Sequence, residues 1–228
     1  MHVEIWSDIA CPWCYVGKRR FEAALAAFEQ RDLVRVTWRS FELDPSAPRE
    51  RVGDHATHLA EKYGTRREQA LTMHETMTDV AAAEGLDFRF DLVRSGSTFD
   101  AHRLLHLAGA LGIQDALKEG LMRAYLSEGE LMSDPALLER VALDAGLARD
   151  DVRDLLAGDR YAAEVREDER TAASLGISAV PFFVIDRAIG AAGAQSPDVL
   201  LDLLRRALPE PAPVAVVATG EACGPDGC

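Results

Sequence analysis

The 228-residue sequence has no long apolar run and no Lys/Arg-rich run that would serve as a local basic patch. Nothing in it approaches the roughly 20 apolar residues that cross a bilayer, so a membrane-spanning segment is not expected. The opening stretch, Met1-His2-Val3-Glu4-Ile5-Trp6-Ser7-Asp8, lacks both a basic n-region and an apolar h-region. A secretory signal is therefore not expected, and the expected compartment is the cytoplasm. Lys and Arg number 25 against 38 Asp and Glu, a formal net charge of −13. Such a surface repels phosphates, which removes nucleic acid from the expected partners. Cysteine is scarce: four residues in two close pairs, Cys11/Cys14 and Cys223/Cys228. Neither pair can staple a fold, because the entropic effect of a crosslink grows with the loop it closes. In a reducing compartment such pairs point to redox or metal chemistry.

What is present is a core. Hydrophobic residues make up 48% of the chain, enough for a large domain or a domain with an insertion. His2 to Ser7 alternates at strand spacing, with Val3 and Ile5 opposite Glu4 and Trp6. After the Cys11-Pro12-Trp13-Cys14 motif, Phe21, Ala24, Leu25 and Phe28 recur at helical spacing to about Gln30. Pro12 suits the first turn of that helix. Leu33 to Leu43 reads as a second strand. From about Arg49 to Asp159 the patterns are helical: Thr65 to Glu84 closed by Gly85, a helix opened by Thr98, the stripe Ile113, Leu117, Leu121 and Tyr125, and a helix capped by Ser133-Asp134-Pro135 and ended by Gly146. A helix from about Arg160 to Leu175 follows. Phe182 to Ile185 is a strand, Ala188 to Gly193 its hairpin partner, and Ser196-Pro197 starts a last helix. The order predicts an α/β protein with a thioredoxin-like βαβ-αββα fold and a large all-helical insertion. The parts run 1–48, 49–159 and 160–208, with 209–228 a flexible extension rich in Pro, Ala and Gly.

The motif sits where thiol chemistry is favoured. The thiolate is the nucleophile, yet a cysteine with a pKa of about 8.5 is only a few per cent ionised at neutral pH. A helix N-terminus carries roughly half a positive charge and unpaired N–H groups. Cys11 lies just before the helix, and Cys14 lies one turn further in. That spacing suits attack by Cys11 on a substrate sulfur and resolution of the mixed disulfide by Cys14. Pro12 stiffens the loop, and Trp13 offers a flat apolar face. A Cys-X-X-Cys is also half of a zinc site, but the remaining pair lies at the far end of the chain with a different spacing, so no metal is expected. The segment Ser178-Ala179-Val180-Pro181 precedes an apolar strand and is a candidate for a cis peptide bond. In the thioredoxin arrangement that loop lies against the motif, and the Val180 backbone can pair with an extended substrate.

Cys11-Pro12-Trp13-Cys14, the helical insertion and Ile177-Ser178-Ala179-Val180-Pro181-Phe182-Phe183 together resemble the DsbA-like thioredoxin family, with the cytoplasmic FrnE-type branch the nearest likeness. Phe99-Asp100-Ala101-His102-Arg103-Leu104 and Gly193-Ala194-Gln195-Ser196 extend the likeness. The resemblance implies a disulfide oxidoreductase or isomerase acting on protein or small-molecule thiols, with a redox-active disulfide instead of a bound cofactor. It implies Cys11 as nucleophile, Cys14 as resolving cysteine and Pro181 as the cis-proline. Cys223/Cys228 resembles a C-terminal Cys-X4-Cys of some FrnE-type members. The related 2-hydroxychromene-2-carboxylate isomerases and kappa-class glutathione transferases use a serine where Cys11 stands. Their likeness offers an alternative, glutathione as co-substrate in isomerisation or transfer of an aromatic or polyketide metabolite. A homodimer is compatible with the pattern.

Other residues carry two readings. His102 and His106 could present two imidazoles to a metal, or face a cleft and pack, with His102 lining the substrate groove. Asp8 is either a turn residue or a proton acceptor for the resolving thiol. Strand alternation puts one of Phe182 and Phe183 in the groove and the other in the core, with Phe182 taken as the groove residue. His55 and His58 are expected on an exposed helix with no role. Cys223 and Cys228 flank Gly-Pro-Asp-Gly, a turn sequence, and are either a second redox centre or an accessory pair.

Overall fold

The computed structural model describes residues 1–208. Its four strands are β1 (His2–Ser7), β2 (Arg35–Ser40), β3 (Phe182–Ile185) and β4 (Ile189–Ala192). They form one mixed sheet in the order β2-β1-β3-β4. β1 runs parallel to β2 and antiparallel to β3. Helices α1 (Pro12–Ala27) and α9 (Pro197–Arg206) cover one face, closing on Val3, Ile5, Phe183, Ile185, Leu200 and Leu204. On the other face, Trp6 and Val184 meet Ala172 of α8 (Ala162–Ser174). The alternation read from His2 to Ser7 is thus the pleat of a central strand packed on both sides.

Between β2 and α8 lie α2 (His55–Tyr63), α3 (Arg67–Ala83), α4 (Phe99–Ala110), α5 (Gln114–Leu126), α6 (Pro135–Asp144) and α7 (Arg149–Ala157). Their ends follow local chemistry. Asp54 accepts a hydrogen bond from the Thr57 N–H at the start of α2, and Gly64 ends it at φ 62°. Asp134 caps α6 through the Ala136 N–H, with Pro135 at the first helical position. Ser196 does the same for α9. The helices share a core with the start of α1. Ile9, Cys14, Tyr15 and Val16 belong to the same buried cluster as Leu104, Leu121, Leu126 and Leu138.

Three expectations shift. α1 stops at Ala27, because Phe28 turns extended at ψ 124°, and a short 3-10 turn over Arg31–Leu33 leads to the strand. β2 is therefore shorter than the apolar stretch 33–43, and Phe41 to Asp44 continues as loop. His55 is not on an exposed surface: its ring stacks on Phe90 and His74, with centroids 5.6 and 4.9 Å away.

α5 is fastened to the sheet at its first turn. The Gln114 side chain accepts from Trp38 N at 2.8 Å and donates to Trp38 O at 2.9 Å, covering the open edge of β2. Trp38 Nε1 donates to Asp115 at 2.9 Å. Lys18 of α1 ion-pairs with Glu22, Asp115 and Glu119. These contacts place the next residues of α5 beneath the motif at the head of α1.

Candidate functional site

Cys11 is the N-cap of α1, with φ −92° and ψ 112°. No acidic residue occupies the first turn of the helix, so nothing there opposes an anion at its N-terminus. The Cys14 N–H donates to Cys11 O at 3.0 Å, which winds the motif into the first helical turn. Cys11 is 4% exposed and Cys14 is fully buried; both are free thiols. Burial, reinforced by the neighbouring Cys11, pushes the Cys14 thiol well above its ordinary range. Trp13 stands out beside them at 46% exposure, and Pro12 is half-buried at the first helical position.

The Val180–Pro181 peptide is cis. Its loop faces the motif: Cys11 Sγ lies 3.6 Å from Val180 O and donates to it. Pro181 is buried and Val180 half-buried. The approach of this loop depends on a glycine. A Cβ at Gly17 of α1 would lie 2.9 Å from Pro181 Cγ. Phe182 is half-buried, and Phe183 is buried in the sheet core against Phe21, centroid to centroid 5.7 Å.

Asp8 is fully buried after β1. Its carboxylate accepts from Leu43 N at 2.8 Å and Ala10 N at 3.4 Å and meets His102 Nε2 at 3.2 Å. Burial opposes its charge, but the His102 hydrogen bond and the Leu43 N–H outweigh it and hold the carboxyl below its usual range. Burial lowers His102 despite that partner. His102, expected to line the groove, is instead fully buried behind Asp8, which is one of the lining residues. His106 turns elsewhere, to Ser40 Oγ and Asp168. The two imidazoles therefore do not converge. Among the described residues no group of three or more His, Cys, Asp or Glu could hold a metal ion.

The motif and the Ser178–Val180 loop open into a groove of about 1200 Å3. Its far wall is α2 and α3, through His55, Leu59, Met73 and Met77. Glu42 also lines it; burial raises this carboxyl to about 7, against the opposing pull of Arg166.

Sequence reading missed three contributors. Gly17 carries no local signal because its constraint comes from a loop far along the chain. The His55–His74 pair, Nδ1 to Nε2 at 2.8 Å, depends on how α2 and α3 pack. Lys118 is the third. It projects from α5, is 0% exposed, and its Nζ reaches Ser7 O at 3.5 Å with the Trp38 ring centroid at 5.6 Å. A lysine on the buried stripe of an amphipathic helix reads as a neighbour of Leu117 and nothing more. Cys223 and Cys228 lie outside the described residues.

A model of the DSBA-like thioredoxin domain matches residues 2–205. The chain is 50% identical to a probable DsbA oxidoreductase from Streptomyces coelicolor, covering 100% of this chain and 98% of that one, with a TM-score of 0.88. At 17% identity it is similar in fold to the cytosolic disulfide reductase DsbM from Pseudomonas aeruginosa, solved with GSH, with coverage of 90% and 98% and a TM-score of 0.64. A 2-hydroxychromene-2-carboxylate isomerase shares the fold at 16% identity, 90% and 95% coverage and a TM-score of 0.64.

Proposed function

The chain belongs to the DsbA-like thioredoxin family, and from that premise we propose that it is a thiol–disulfide oxidoreductase or isomerase working through Cys11 and Cys14. The observation that carries this reading is the pairing of a helix-capping Cys11 with the carbonyl of Val180, 3.6 Å from its sulfur, beside a cis-proline. Cys11 thiolate attacks a substrate disulfide, forming a Cys11–substrate bond and releasing the first substrate sulfur. Cys14 then attacks Cys11 Sγ, closing the Cys11–Cys14 disulfide and releasing the second. An oxidised protein runs the same steps backwards. The backbone of Val180 offers an extended substrate a strand-like partner. Trp13, Pro12 and Phe182 supply apolar contact, and His102 acts from behind through Asp8.

The substrates in this proposal are protein or small thiols and disulfides, with glutathione as a co-substrate and the cytoplasm as the compartment. Among the described residues no helix is long and apolar enough to cross a membrane. The FrnE-type branch is consistent with this reading, and Cys223/Cys228 would then be a second redox pair. A glutathione-dependent isomerase shares the fold, but the dithiol here supports exchange over a serine-based mechanism.

A substrate-trapping assay tests the proposal. Incubated with a disulfide-containing peptide, Cys14→Ser should accumulate a mixed disulfide at Cys11, and the protein carrying both cysteines should release reduced peptide. A Cys11→Ser protein that still reduces the peptide would contradict the reading. So would isomerisation of a chromene-type substrate that survives Cys11→Ser.

A further inference from the structure

An extended substrate needs Cys11, the Val180 backbone and the opposite groove wall held in register. In the dithiol, Cys11 Sγ–H donates to Val180 O. That donor is gone once Cys11 carries a substrate sulfur, so the cis-proline loop must be held by something other than the reacting thiol. The contacts around the loop lead to Arg20 of α1. The Gly193 N–H, in the turn after β4, donates to Pro181 O at 2.8 Å. The carbonyl of the next residue, Ala194, accepts from Arg20 Nη1 at 2.8 Å. Arg20 lies three residues beyond Gly17, on the stretch of α1 over which Pro181 and Ala194 rest. A Cβ at Gly17 would meet Pro181 Cγ at 2.9 Å and Ala194 Cβ at 3.6 Å. The other arm of the guanidinium faces the helical insertion. Arg20 Nε donates to Glu84 Oε1 at 2.6 Å, and Glu84 is the C-cap of α3. Met73 and Met77 of that helix line the groove. Among the described residues, no other side-chain hydrogen bond joins α3 or its C-cap to α1, the sheet or the cis-proline loop.

Resting on the disulfide-exchange reading, we infer that Arg20 is a positioning residue, which from α1 holds the cis-proline loop and the α3 wall at the spacing an extended substrate requires. A guanidinium is planar and presents its donors in fixed directions. One rigid group therefore sets where Ala194 O and the Glu84 carboxylate stand relative to α1. A lysine ammonium at the same place is a single point on a flexible stem and cannot hold both partners in one geometry. Arg20 touches neither sulfur, so it leaves the exchange chemistry alone. Its effect is confined to substrates that pair with the Val180 backbone and reach the far wall. A small disulfide such as hydroxyethyl disulfide has no backbone to pair and meets Cys11 without the clamp. The site is thereby organised for peptide disulfides, and the insertion takes part through the Glu84 arm.

The test uses the full chain with Arg20→Met, Arg20→Lys and Glu84→Ala. Ion pairs that reach solvent add little to folding stability, and denaturant unfolding checks that each variant folds. With a disulfide-containing peptide, Arg20→Met should lose about tenfold in kcat/KM, mostly as a raised KM. Its rate with hydroxyethyl disulfide should change by less than about twofold, and the Cys11/Cys14 reduction potential in glutathione buffers should not move. Arg20→Lys should recover part of the loss. Glu84→Ala, which frees only the wall, should raise KM less and leave the Gly193 amide protected from hydrogen exchange, whereas Arg20→Met should expose it. An unchanged peptide KM, an equal loss on both disulfides, or unchanged Gly193 protection in folded Arg20→Met overturns the inference. If Arg20→Met does not fold, the same comparison of Arg20→Lys with Glu84→Ala decides. An unsubstituted protein that reduces neither disulfide refutes the exchange reading instead, and the Gly193 exchange still reports on the clamp.

Discussion

Gly17 shows how much of the site depends on single atoms. It lies one turn beyond Cys14, and the added Cβ of an alanine would meet the rigid ring of Pro181 at 2.9 Å. Alanine favours helix by about 1 kcal/mol over glycine, but forced overpacking costs about 1–3 kcal/mol. Gly17→Ala should therefore lower stability slightly, by about 1 kcal/mol, and slow peptide disulfide reduction several-fold by displacing the Val180 carbonyl. Denaturant unfolding and the reduction assay, run together, check this; a more stable and fully active variant would contradict it. At this scale the motif was legible, because its chemistry is local: a strand, two cysteines at Cys-X-X-Cys spacing and a proline at the head of a helix. Gly17 was not, because its constraint comes from Pro181, a residue distant in sequence.

The elements were legible wherever a period of two or 3.6 runs cleanly. β1, α1, α6 and α9 sit where alternation, proline and capping residues put them. Errors fall at ends, as with β2, where apolar residues continue past the last ladder bond. Short helices such as α2 and α7, nine residues each, hold few apolar repeats, so which face they bury is hard to read, and His55 of α2 is packed rather than exposed. α2 matters because, with α3, it forms the outer wall of the groove. Its place depends on the stacked rings of His55, His74 and Phe90. Burial, with His74 adding to it, depresses His55 to about 4, and burial also lowers His74. The folded state thus disfavours protonation. The stability held by the neutral pair is complete above the unfolded value near 6.5 and is lost as pH falls towards 4. The shift corresponds to at most about 3 kcal/mol. Hydrogen exchange, corrected for the intrinsic pH effect, should be faster in α2 and α3 at pH 5 than at pH 7, with the sheet unchanged. His55→Gln should remove that difference. Equal protection at both pH values in the unsubstituted chain would contradict this account of the wall.

For the whole molecule, the helices between β2 and α8 and the thioredoxin-like elements share one buried cluster, with Cys14 and Val16 among Leu104, Leu121 and Leu138. The sequence reading separated these parts because the pattern changes from mixed to all-helical at about residue 49. Pattern cannot reveal that both parts bury their apolar faces against each other. The consequence is a groove built from both: α1 and the cis-proline loop bring Cys11 and Val180 together, and α2 and α3 form the opposite wall. The most direct test of the central claim is the redox equilibrium of Cys11/Cys14 in glutathione buffers, measured with Cys223 and Cys228 replaced by serine. The account predicts a single two-electron transition that either Cys11→Ser or Cys14→Ser abolishes. No transition across the glutathione range, or one that survives loss of Cys11, would contradict it.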